Sequence, residues 1–241
     1  MVVRKSVRRV VWIGVSLLIF IGVAAVARRT MVLLFPGTLG SGGSSPAAGL
    51  DTGFARHEIL TLVHILPGAL FLILAAVQFM PSVRQQHLQF HRWSGRFLVA
   101  LGLLIGISAL VMSYKMNIGG PNETAATTLY GIVFLFCISK AYLLARRREI
   151  ARHREWMIRA YSVGLGVATT RPIVGAFFAF RRLTPHEFFG IAFWLGFTTT
   201  FMAAEAWIDY TRSHNQYTES QPLGSATEGR TKASIATRAS A

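Results

Sequence analysis

The chain reads as an all-α, polytopic transmembrane helical bundle of about six spanning helices, N-in/C-in, and three observations predict this. Hydrophobic residues make up 52% of its 241 residues, and the mean hydropathy is +0.45. They cluster in runs of about 20 residues with almost no charge, the length an α-helix needs to cross roughly 30 Å of hydrocarbon. The basic residues lie between these runs, so a net charge of +15 and a pI near 11.3 act as a topology signal and not as a nucleic-acid footprint. The expected partner is therefore the lipid bilayer, with no nucleic acid.

An N-terminal segment, residues 1–35, holds the first apolar run, Val10 to Ala27, between Arg4, Lys5, Arg8, Arg9 and Arg28, Arg29. Ala25, Val26 and Ala27 resemble a signal-peptide cleavage site, but about 18 apolar residues is long for a signal core, which favours a retained helix. Residues 36–57 are rich in Gly, Ser, Pro and Ala and form an extracytoplasmic loop. Five runs follow in a membrane core at 58–209: Ile59 to Met80, Trp93 to Tyr114, Ala125 to Ala145, Met157 to Phe180 and Phe188 to Trp207. Lipid offers backbone amides no partner, so each run must be helical, and the alternating polarity of a β-barrel is absent. Residues 210–241 are Ser/Thr-rich and poor in large apolar residues, the composition of a disordered cytoplasmic tail.

Lys and Arg in short loops are retained on the cytoplasmic side. The N-terminus, the loop with Arg84 and Arg92, and the loop with Arg146, Arg147, Arg148, Arg152 and Arg154 are richer in them than the alternate loops. Trp12, Trp93, Trp156 and Trp207 fall at the same helix ends, where an indole suits the headgroup layer. The expected location is a bacterial inner (cytoplasmic) membrane, crossed several times.

Two segments resemble each other: His91-Arg92-Trp93-Ser94-Gly95-Arg96 opens the third span, and His153 to Arg159 (HREWMIR) opens the fifth. Their histidines are 62 positions apart, about one helical hairpin, so both lie at the cytoplasmic end and can face each other. The plainer alternative is an interfacial anchor, with Arg on phosphates and Trp among headgroups. On the second span, positions 57, 64, 68, 71, 75 and 78 follow helical spacing and place His57, His64, Gly68 and Gln78 on a face expected to point inward. That face can line a cavity, with Gly68 admitting a flat ligand, or simply fix packing. Gly102 and Gly106 suit a close helix crossing, and Cys137, the only cysteine, suits a small buried hydrophobe. Arg171, before Pro172 and deep in the fifth span, needs an acidic or backbone partner, for which Glu187, Glu205 or a ligand carboxylate are candidates. Arg159, twelve residues earlier, is placed on the same face. Asn122-Glu123-Thr124 matches a glycosylation acceptor, a pattern common by chance.

Taken together, His64 with Pro67 and Gly68, Gln78-Phe79, Arg84, the runs His91 to Arg96 and His153 to Arg159, and Arg171 resemble the bacterial predicted membrane proteins catalogued as domain of unknown function 2306. The resemblance covers roughly Glu58 to Trp207 and implies a membrane location without an established reaction.

Three functions fit these residues. The first is a b-type haem protein of membrane electron transfer, in which His91 and His153 bind the iron, Arg96, Arg159 and Arg171 meet the propionates, and His64, near the other face, serves a separate level. The second is a transport or lipid-handling protein whose cavity is lined by Arg171, Gln78 and His64; six helices then imply a homo-oligomer or a partner subunit. The third is a non-catalytic assembly subunit. No hydrolase triad, phosphate-binding glycine loop or zinc-protease motif occurs, so hydrolase or transferase chemistry is not expected.

Overall fold

The computed structural model describes residues 2–35, 54–180 and 183–219. Among the described residues there are six long helices and one short helix: α1 (Val2–Leu34), α2 (Glu58–Gln78), α3 (Pro81–Gln86), α4 (Leu88–Lys115), α5 (Gly120–Arg146), α6 (Ile150–Phe180) and α7 (Pro185–Glu219). No strand occurs among the described residues. The six long helices are all long and apolar enough to cross a membrane, so the protein's environment is a lipid bilayer.

Apart from α2, which stops at Gln78, short of Met80, each long helix outruns the apolar run that predicted it, because backbone pairing continues where the side chains turn polar. The extra first turns of α4 and α6 carry His91 and His153. The loop at 81–86, unassigned in the sequence reading, is helical, with Pro81 in its first turn. The expected tail begins too early: α7 continues to Glu219, while 220–241 lie outside the described residues. The Gly/Ser-rich stretch 36–53 also lies outside them; Phe54 to His57 form a turn entering α2. Pro67 and Pro172 sit inside α2 and α6 without ending them.

The chain divides into Met1–Ala204 and Glu205–Ala241. In the first unit the core gathers Phe71, Ala75, Leu98, Phe134, Cys137, Ile138, Ala160 and Phe197. Phe71 meets Phe134 edge-on at 5.7 Å, and the Tyr161 hydroxyl donates to the Leu72 carbonyl at 2.9 Å, tying α6 to α2. Small residues set the crossings: Gly102 and Gly106 lie against Phe134, Leu135 and Ile138 of α5, as their spacing predicted, and Gly166 and Gly196 bring α6 and α7 into backbone contact. Gly22 of α1 packs on Leu72 and Ala168, joining α1 to α2 and α6. The span of α1 is only 6% buried, against 28–33% for the others, so α1 is peripheral. In the second unit Trp207 stacks on Tyr210 at 5.8 Å.

Candidate functional site

Two groups of polar residues lie at opposite ends of the first unit. The histidine end is built by the starts of α4 and α6. Backbone pairing runs from α3 into α4 through His87, whose amide donates to the Val83 carbonyl and whose carbonyl accepts from His91. Between α5 and α6, Arg148 adopts φ 64°. The amide of Arg148 donates to Ala145 O at 3.1 Å and that of Glu149 to Leu144 O at 3.0 Å, a Schellman closure that reverses the chain within a few residues. The reversal lays the first turn of α6 on the last turns of α5, where His153 Nδ1 meets the Ala141 carbonyl at 2.8 Å.

His91 and His153 are half-buried and within electrostatic reach of one another, with Arg84 and Arg92 also acting on His91 and Arg84 on Arg154. Since a carbonyl only accepts, His153 donates from Nδ1, and in the neutral form of the ring the lone pair stands on Nε2. Nδ1 of His91 is buried and has no hydrogen-bond partner among the described residues. Nearby, Gln78 Nε2 donates to Ser94 Oγ at 2.6 Å, Ser94 donates to the Phe90 carbonyl, and Gln78 Oε1 is a buried acceptor without a partner among the described residues. The two resembling segments share a local device: Arg96 lies over the Trp93 ring at 5.2 Å and Arg159 over Trp156 at 4.8 Å. Trp93 is 68% exposed, in keeping with an interfacial anchor, whereas Trp156 packs edge-on against Phe136.

The second group lies at the other end. His64 Nδ1 is 2.9 Å from Ser108 Oγ. Ser108 Oγ also lies 2.7 Å from the Leu104 carbonyl and 3.0 Å from the Ile105 carbonyl; with its one proton on either of these, it accepts from His64 Nδ1–H. Arg171 lies within electrostatic reach of Arg28, Arg29, Glu123 and His64. Glu123, not among the acids expected near Arg171, is the carboxylate that acts on it electrostatically, and its capping position after Gly119-Gly120 is the signal that could have found it. Its Oε2 accepts from the amides of Ile118 at 2.7 Å and Gly119 at 2.6 Å. Glu187, an expected partner of Arg171, instead caps α7 by accepting from the amide and hydroxyl of Thr184.

Other expectations are revised. Arg171 follows His153 by eighteen residues on one helix, about 27 Å, so it cannot share a ligand with His91 and His153. Twelve residues rotate an α-helix by about 120° past whole turns, so Arg159 and Arg171 occupy different faces; Arg159 reaches Glu155 at 4.0 Å. On α2, Phe71, Ala75 and Gln78 are buried as the stripe predicted, but His57 is exposed, and no atom approaches the place a Gly68 Cβ would occupy. Asn122 accepts from Trp194 Nε1 at 2.9 Å, a packing role. Among the described residues no three His, Cys, Asp or Glu side chains converge as a metal site.

Six long apolar helices with polar groups at both ends define a multi-pass helical membrane protein. A family profile described as Predicted membrane protein (DUF2306) matches residues 61–208; the chain belongs to this family. No curated protein and no solved structure matches it.

Proposed function

We propose that this membrane protein binds a b-type haem at the histidine end and serves as an electron-transfer component, with that end on the cytoplasmic side of a bacterial inner membrane. The observation that carries the reading is the pairing of His91 and His153 from separate helices, one ring pinned by Ala141 and the other holding a buried nitrogen without a hydrogen-bond partner among the described residues. With two imidazoles and no third donor among the described residues, the set suits a metal that brings its remaining ligands with it, as haem iron does. Bound haem would supply reversible one-electron exchange.

The protein's own residues would do the rest. The Ala141 carbonyl holds the His153 tautomer and ring orientation and makes Nε2 a better ligand. Arg84, Arg92 and Arg154 surround the pair with positive charge that would offset two propionates. Arg96 and Arg159, held over their tryptophans, are further donors at the same level. The orientation follows from the arginines at 84, 92, 146, 147, 148, 152 and 154, which crowd this end.

The test is an absorption spectrum of detergent-purified protein from haem-replete cells, before and after dithionite. A Soret band that sharpens on reduction, lost in His91→Ala and in His153→Ala but kept in His64→Ala, is the expected result. Colourless wild-type protein would end the proposal.

A further inference from the structure

The hairpin of α4 and α5 carries, at its turn and away from the histidines, a groove that the haem reading leaves unused. It holds about 610 Å³ and is lined by Tyr114 and Asn117 at the end of α4 and by Thr124, Ala125, Leu129 and Ile132 of α5. Two hydrogen bonds to one carbonyl fasten its mouth: Asn117 Nδ2 and Thr124 Oγ1 both donate to Ser113 O, at 3.1 Å and 2.8 Å. Deeper in, Leu110 of α4 fills the place beside Gly131 and closes the two helices together. The flank stays open, with Tyr114, Leu129 and Ile132 exposed.

The groove changes character along its length. Its outer end presents hydrogen-bond donors. Thr128 donates to the Tyr114 hydroxyl at 3.4 Å, so the Tyr114 proton is left without an acceptor among the described residues. Asn117 gives one of its two amide hydrogens to Ser113 and keeps the other. Lys115 stands between these two residues, is exposed, and makes no ion pair with any described residue. Glu123, the only acid from 88 to 148, is buried and gives Oε2 to the amides of Ile118 and Gly119. Further in, Ala125, Leu129 and Ile132 bring no polar side-chain atom. From Pro121 to Ile132 an α-helix rises about 16 Å, roughly half of a 30 Å hydrocarbon core. The groove is therefore as long as one leaflet is deep, with donors at headgroup level and an apolar seat reaching the midplane.

We infer that this groove binds one anionic phospholipid of the leaflet at this end, with an acyl chain along Ala125 to Ile132 and the phosphate met by Lys115, Tyr114 and Asn117. Phosphate oxygens only accept, and three donors without an opposing carboxylate complement them. A zwitterionic headgroup adds a cation that Lys115 repels, so an anionic lipid is favoured. A soluble anion would leave the apolar seat unused. A spanning helix of a second copy needs a seat across the full thickness, whereas the groove ends at Ile132.

The test places the full chain in phosphatidylcholine nanodiscs doped with a trace of phosphatidylglycerol, or of phosphatidylcholine, that carries a diazirine on one acyl chain. Illumination is followed by peptide mass spectrometry. Labelling is expected to concentrate on 125–132, to exceed that of Leu103 and Ile107, which are exposed on α4 outside the groove, and to be about threefold stronger for the phosphatidylglycerol probe. Lys115→Gln should abolish that preference and keep the labelled positions. Ala125→Trp fills an exposed part of the seat and should lower labelling several-fold; if it does not fold, Leu129→Trp serves the same purpose. Labelling no stronger in the groove than at Leu103 and Ile107, labelling unchanged in whichever tryptophan variant folds, or a headgroup preference that survives Lys115→Gln would overturn the inference. So would a dimer in native mass spectrometry that the tryptophan variant dissolves, since the groove would then hold a second copy. A haem-free preparation would leave the inference standing.

Discussion

His153 on α6 donates from Nδ1 to the carbonyl of Ala141 on α5, at 2.8 Å, and this bond separates the fold from the proposed ligand chemistry. Asparagine carries a donor where Nδ1 stands but has nothing at the position of Nε2. His153→Asn should therefore keep the bond and the unfolding temperature in detergent while removing the iron-facing nitrogen and the Soret band. His153→Ala removes both, and loss of one hydrogen bond costs about 1 kcal/mol. A His153→Asn protein that retained the wild-type spectrum would assign the ligand elsewhere.

Glu123 closes the turn between α4 and α5 through two amides, those of Ile118 and Gly119. Its side chain is buried, so Glu123→Ala leaves these donors poorly served, and hydrogen bonds to charged groups contribute about 1.5–3 kcal/mol each. Glu123→Gln keeps one acceptor oxygen and should lose less. The order wild type, Gln, Ala in thermal unfolding is the expected result; equal stability of Gln and Ala would mean that the carboxylate has no capping role.

Glycines on helix crossings should differ in tolerance according to what faces them. A Cβ on Gly196 would meet the Thr170 amide nitrogen at 3.0 Å and the Gly166 carbonyl at 3.1 Å, backbone that cannot step aside. On Gly131 it would meet the Leu110 side chain, at 2.9 Å to Cδ2, and a leucine can change rotamer. Gly196→Ala should thus cost about 1–3 kcal/mol from overpacking, and Gly131→Ala should be near neutral because alanine favours the helix by about 1 kcal/mol. Unfolding temperatures of the two variants in one detergent check the contrast.

The six spans were legible because hydropathy over about 20 residues reports on lipid burial directly. The paired motifs of His91 and His153 were legible as a depth relationship, since helices joined by a hairpin return to the same level. What escaped depends on side-chain shape and backbone conformation. The approach of Gly166 to Gly196 has no hydropathy signature. Glu123, set aside as part of a chance acceptor motif, is a capping residue within reach of Arg171, whereas Glu187, the acid expected for that role, is taken by Thr184. The ends of α4 and α6 were drawn too short because a helix continues wherever its amides stay paired, whether or not its side chains remain apolar.

Arg148 offers the last test, because it holds φ 64° in an exposed turn where glycine is the usual residue. The left-handed conformation costs a non-glycine residue about 1 kcal/mol, and the turn accepts that cost in order to set His153 against Ala141. Arg148→Gly removes the strain but enlarges the freedom of the unfolded chain, so the net change should lie between neutral and about 1 kcal/mol of stabilisation. Arg148→Val is branched at Cβ and tolerates this conformation poorly, so it should be destabilised and should also loosen the His153 contact. Thermal unfolding gives the first effect. The second should appear as a weaker or shifted Soret band in Arg148→Val alone. Valine tolerated as well as glycine would show that the reversal between α5 and α6 does not depend on a left-handed residue.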